Sequence, residues 1–382
     1  MSEKFTISQS ILDWVENAIN IAALPEKAQT IFSKWKNEDS AASYAQITDF
    51  SNASHIPFGY FFLETPPKEN VSLIEHRTIK SGEFKNPSRE FMDTYYSMKD
   101  IQEWTSDYLK TNKVEPLKFV GSMRGQEYPS ILIEVRNLLN LDPDKPLKAT
   151  DEKIFNRLRD YISNLGVLVL QNGCAKGNPH RPLDLNEFRG FALIDQRAPL
   201  VFINSKDSNS GKIFTLLHEF VHICMGVDDL FDKSDISYAR VKPDEVIANK
   251  VASEILLPSH VFREEWEKFG NSLTNTQKIS VLANRFGNSK TVIARKALDF
   301  GYINESSYVA IANEVTNNFK QKQGSGGNYY RTALSRTDKN FLSYLNDSVI
   351  DGSTSYTEAF RLTATSAKGY PKLMEAMKAK TL

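Results

Sequence analysis

The sequence predicts an α+β fold: a core of a small β-sheet and buried helices, flanked by helical regions at both ends. Three observations predict it. Apolar residues recur at helical spacing through most of the chain. Three short apolar runs, punctuated by Gly, Pro, Asn and Asp, fall together between residues 167 and 203. Residues 213–225 form a helical stretch with almost no polar surface.

The elements follow in order. Ile11, Leu12, Val15 and Ile19, then Ala28, Ile31, Phe32 and Trp35, mark short helices of an N-terminal module. His55-Ile-Pro-Phe-Gly-Tyr-Phe-Phe-Leu63, closed by Thr65-Pro-Pro67, ends that module near residue 75. Residues 88–110 and 149–164 read as helices, the second directing Ile154, Leu158, Tyr161 and Ile162 to a core. Val167–Leu170, Phe191–Ile194 and Leu200–Ile203 read as three strands of one sheet, with loop chemistry in Gly173–Pro182. Helices return at 275–286 and from Ser289 to Asp299, the latter stopped by Gly301. Lys322–Asn328 has the composition of a flexible hinge. The expected organisation is a helical module over 1–75, a core domain over 76–305 and a C-terminal helical region over 306–382.

Composition bounds the function. At 382 residues, 41% hydrophobic and 25% charged, the chain can bury a sizeable core and is not disordered. Two distant cysteines, Cys174 and Cys224, do not make a disulfide framework and fit a reducing compartment. The N-terminus lacks the basic and apolar regions of a signal peptide, and no run of about 18 apolar residues offers a membrane span. The expected location is the cytoplasm. Forty-seven basic residues balance forty-seven acidic ones, which excludes a protein-wide electrostatic case for nucleic-acid binding. Residues 1–70 carry five lysines against nine acids, a poor match to phosphates. Residues 320–382 carry ten basic against five acidic residues, read as a solvated basic face.

The chemistry is carried by Ile213-Phe-Thr-Leu-Leu-His-Glu-Phe-Val-His-Ile-Cys-Met225, which contains His-Glu-x-x-His. On a helix, positions four apart lie about 40° apart in azimuth and about 6 Å along the axis, so His218 and His222 can present their rings to one point. Two imidazoles and a carboxylate are a catalytic zinc set, and an adjacent glutamate, here Glu219, can act as general base toward a metal-activated water. A carboxylate placed by chance among Phe214, Leu216, Leu217, Phe220, Val221 and Ile223 would cost several kcal/mol or neutralise. A metal ion supplies the reason for its presence.

The third ligand must come from another element. Lys242-Pro-Asp-Glu-Val-Ile-Ala-Asn-Lys-Val-Ala-Ser-Glu-Ile-Leu-Leu-Pro258 offers a helix with Pro243 in its first turn and small Ala248 and Ala252 for close approach. Glu245 shares a stripe with Ala248, Asn249 and Ala252 and is the favoured ligand. Asp228, Asp229, Asp244 and Glu254 are rivals.

These two motifs together resemble the ImmA/IrrE family of bacterial metallo-endopeptidases, whose members share a Glu-x-x-Ala-Asn helix ending in Leu-Leu-x-Pro-like residues. The similarity extends through Arg181–Asp184, Phe188–Phe191, Leu200–Asn204 and Ser325–Tyr330, covering most of the chain beyond about residue 55. The resemblance implies a zincin-like core, a gluzincin-like set of zinc ligands at His218, His222 and Glu245, and a general base at Glu219. It also implies a protein substrate of the repressor or antitoxin-like class, in a setting of stress response or mobile-element regulation; a toxin–antitoxin or phage-defence pair is a separate setting that is compatible with either an enzyme or a regulator. Longer members begin with a helix-turn-helix. The Trp35 and Ile56–Tyr60 region is similar to a shortened copy, for which the acidic charge favours docking a protein substrate over binding DNA.

Other candidates are weaker. His180, Arg181, Tyr238 and Arg240 are candidates for stabilising an oxyanion, a role that spacing does not assign. Cys224 reads as a buried small hydrophobe, and His55, His76 and His260 carry no functional signal. The competing function is a DNA- or protein-binding regulator that retains a structural or sensing zinc.

Overall fold

The alternation of side chains along three short strands divides the molecule's largest apolar interior into two cores. In the computed structural model, which describes residues 4–37, 41–67, 87–226, 243–319 and 329–381, these strands are β3 (Leu168–Asn172), β4 (Gly190–Leu193) and β5 (Leu200–Asn204). They lie in the order β3-β5-β4, with β3 parallel and β4 antiparallel to β5. Val169, Val201 and Ile203 point to one core, and Leu168, Leu170, Phe191, Leu193, Leu200 and Phe202 to the other.

The N-terminal module consists of β1 (Lys4–Thr6), α1 (Gln9–Ala18), α2 (Glu26–Asn37), β2 (Ala41–Ser43) and α3 (Tyr44–Ser54). Helices α1 and α2 carry the apolar groups the sequence marks, α3 is additional to them, and the apolar faces close on Trp35, Phe50 and Phe61. The antiparallel pairing of β1 with β2 is additional to the expected helices. The proposed module boundary near residue 75 lies outside the described residues.

The first face of the sheet is covered by α5 (Tyr128–Leu138), α6 (Glu152–Asn164), α7 (Asn209–Met225) and α8 (Pro243–Leu256). The second is covered by α4 (Arg89–Thr111) and, from the far end of the chain, by α13 (Tyr329–Arg336), α14 (Lys339–Ile350), α15 (Tyr356–Thr363) and α16 (Gly369–Thr381). A separate apolar cluster joins α9 (Ser259–Glu267), α10 (Asn275–Phe286), α11 (Lys290–Asp299) and α12 (Glu305–Phe319). The result is an α+β fold in which the sheet lies between helical layers. The hinge proposed over 322–328 lies outside the described residues. Among the described residues, no helix is long and apolar enough to cross a membrane.

Candidate metal centre

Helix α7 is fixed at both ends. Ser208 caps its start by accepting a hydrogen bond from the Gly211 N–H at 3.1 Å. Asp207 accepts from the Ser208 N–H and pairs with Arg189 at 2.5 Å, tying the cap to the residue before β4. At its end Gly226 takes the left-handed conformation, φ 62°. The Gly121 and Met123 N–H groups then bond the Ile223 and Cys224 carbonyls, satisfying acceptors that the helix leaves open. Gly190 lets β4 lie against the helix, because a β-carbon there would stand 2.5 Å from Thr215 Cγ2.

Helix α8 packs against α7 through small residues, Ala248 and Ala252, both fully buried. This brings Glu245 to the two imidazoles. His222 Nε2 lies 3.1 Å from His218 Nε2 and 2.9 Å from Glu245 Oε1, and His218 Nε2 lies 3.3 Å from Glu245 Oε2. Both histidines are buried, and the Glu245 side chain is 13% exposed. Burial pushes the Glu245 carboxyl up, but the paired imidazoles of His218 and His222 outweigh it and hold the group well below the usual carboxylate range. Glu219, the next residue after His218, is also buried in α7.

The donor set fits a divalent cation. Two imidazole nitrogens and a carboxylate oxygen brought to one buried point offer three donor atoms to a cation placed among them. A tetrahedral zinc with bonds of about 2.0–2.1 Å sets its ligand atoms about 3.4 Å apart, close to the spacings here. Among the described residues, His218, His222 and Glu245 are the group of metal-binding side chains that converges in this way.

The remaining candidates separate from this point. Glu254 is bound to Lys296 and Ser259 at the far end of α8. Nine residues after Glu245 it falls on the opposite side of an ideal helix, which helical periodicity alone would have indicated. Asp244 is in the first turn of α8 and is not in the cluster. Asp228, Asp229, Tyr238, Arg240 and His76 lie outside the described residues. His180 is exposed. Arg181 is buried and committed to Asp93 at 2.7 Å and Glu90 at 3.1 Å, so the structure gives it a structural role in place of oxyanion stabilisation. Cys224 is fully buried, and burial pushes its thiol up, out of reach of ready ionisation. His260 meets Asp144 on the surface.

One neighbour of the two histidines was not anticipated. The Phe214 ring stacks near His218, with centroids 6.2 Å apart and planes inclined by 27°. The four-residue spacing of 214, 218 and 222 is the signal that places it there.

Residues 179–298, which contain α7 and α8, match the family model described as the IrrE N-terminal-like domain, peptidase family M78. Residues 337–376 match a second model, described as a domain of unknown function, DUF8813. The first match is narrower than the resemblance expected from about residue 55 onward. No curated protein and no solved structure matches the chain.

Proposed function

We propose, from the match of residues 179–298 to the IrrE N-terminal-like peptidase model, that the chain is a zinc-dependent endopeptidase acting on a specific regulatory protein. The observation that carries this reading is the convergence of His218 Nε2, His222 Nε2 and a Glu245 oxygen on one buried point inside the family-matched segment.

In this reading His218, His222 and Glu245 hold the ion. When bound, zinc supplies Lewis acidity at a position left open by three protein ligands. The buried imidazoles and carboxylate are preset by the packing of α7 on α8, so little reorganisation accompanies binding. Glu219 acts as general base: its carboxylate takes the proton from the attacking water and carries it to the departing amine nitrogen. The substrate class, a repressor or antitoxin-like protein, is part of the proposal, as is recognition through the N-terminal module.

The regulator alternative receives less support. Helices α10 and α11 are joined by Gly287-Asn288-Ser289, a turn of the length used in helix-turn-helix units. Of the cations of α11, Lys296 is buried on Glu254 and withdrawn from any phosphate, while Lys290 and Arg295 are on the surface, where Glu314 and Asp299 pair with them.

The test is capture by the zinc-loaded Glu219→Gln variant, followed by peptide mapping after active protein is added to the captured partner. The reading predicts one defined cut by the wild type and none by the variant. Equal cutting by both removes Glu219 from its role.

A further inference from the structure

We infer that Phe214 is a specificity-determining residue, forming the apolar wall of a subsite for a hydrophobic substrate side chain next to the scissile bond. The inference rests on the metallopeptidase reading and extends it to the kind of residue that is accepted.

From Ile213 to Met225, every residue of α7 is buried except Phe214. The histidines, the glutamate and the apolar residues around them are all enclosed, while this one large apolar ring retains contact with solvent. Phe214 packs against the core with part of its surface left open, whereas Phe220 on the same helix is fully buried. Phe214, His218 and His222 succeed one another at intervals of four, so they form one stripe along α7. The stacking of Phe214 near His218 therefore puts carbon surface one helical turn from the converging ligand atoms.

A substrate held for hydrolysis must bring its scissile carbonyl to that convergence point. A side chain on the adjacent Cα then lies within a few ångströms of it, the distance that separates the Phe214 ring from His218. Binding sites are built this way, with a few polar groups that orient the ligand and aromatic walls that supply burial. A wall of this kind favours a leucine- or phenylalanine-like side chain and gives glycine nothing to bury.

The test uses full-length, zinc-supplied protein and calorimetric titration with acetohydroxamate and with the N-acetyl hydroxamates of glycine, leucine and phenylalanine. The hydroxamate reports on the metal, and the side chain reports on Phe214. The leucine and phenylalanine compounds are expected to bind at least about tenfold more tightly than the glycine compound. Phe214→Ala is expected to abolish that ratio and leave the affinity for acetohydroxamate unchanged. No preference in the wild type, or an unaltered ratio in Phe214→Ala, overturns the inference. Should Phe214→Ala lose its fold, Phe214→Leu takes its place, and an undiminished preference for the phenylalanine compound overturns it equally. Failure of acetohydroxamate itself to bind has a different meaning: the metal reading falls, and the inference with it.

Discussion

Gly121 and Gly226 meet backbone to backbone at the end of α7, where a β-carbon on Gly226 would lie 2.5 Å from Gly121 Cα. The contact lets the Gly121 and Met123 N–H groups reach the Ile223 and Cys224 carbonyls, immediately after the second histidine. Gly226 is also left-handed, φ 62°, a conformation costly for any residue with a β-carbon. Gly226→Ala is therefore expected to cost roughly 2–3 kcal/mol, from backbone strain and displacement of the 121–123 turn together. Chemical denaturation of the variant measures this, and an unchanged midpoint would show that the turn is not a support of α7.

Lys296 enters beneath α8 to bond Glu254, which also accepts from Ser259. Both partners of the ion pair are nearly enclosed. Removing the cation leaves a buried carboxylate, so Lys296→Met is expected to destabilise by about 3–5 kcal/mol, and the double variant with Glu254→Gln by less. A double-mutant cycle in urea checks the order.

The same pair sets an acid sensitivity. Burial raises the Glu254 carboxyl, but Lys296 and Ser259 together bring it below its ordinary value. A carboxyl depressed in the folded state adds stability above its unfolded pKa of about 4.3, and that stability is lost as pH falls through the lower folded value. The stability gap between wild type and Glu254→Gln should therefore be constant from pH 6 to 7, both well above about 4.3, and shrink as the solution is acidified below it. A gap that widens on acidification contradicts the assignment.

Arg159 attaches the start of the 337–376 segment to the sheet. It donates to the Val169 carbonyl at 2.9 and 3.1 Å, and to the Ser335 and Thr337 carbonyls at 2.6 Å each. Asp338 completes the junction by accepting from Ser163 and the Val169 N–H while capping α14. Arg159→Met should cost roughly 2–4 kcal/mol, since it strips charged donors from three carbonyls. Hydrogen exchange should rise in α14–α16 and stay slow in α7. Uniform exchange across both regions would contradict a local role.

Local signals were legible where one stretch of chain decides the outcome. Helix α10 runs over the residues predicted because Thr274 and Gln277 form a capping box and Gly287 supplies the left-handed stop. The strands followed from short apolar runs, whose alternation becomes clear only once two cores exist to receive it. The pairing of β1 with β2 escaped because three-residue strands carry almost no pattern. Helix α5 was not anticipated, although Pro129 in its first turn is a start signal. The role of Arg181 depends on Glu90 and Asp93, about ninety residues away, and no local spacing reports such a pair. The convergence of His218, His222 and Glu245 was readable because two histidines one helical turn apart and a helix with small packing residues constrain each other strongly.

The proposed function requires those three side chains to hold zinc. Elemental analysis of folded, zinc-supplied protein, after exhaustive removal of free metal, tests it most directly. The expected result is close to one zinc per chain in the wild type and in Glu219→Gln, with loss of metal in His222→Ala and Glu245→Ala that remain folded by circular dichroism. Folded wild-type protein without zinc, or full retention of zinc by both ligand variants, would contradict it.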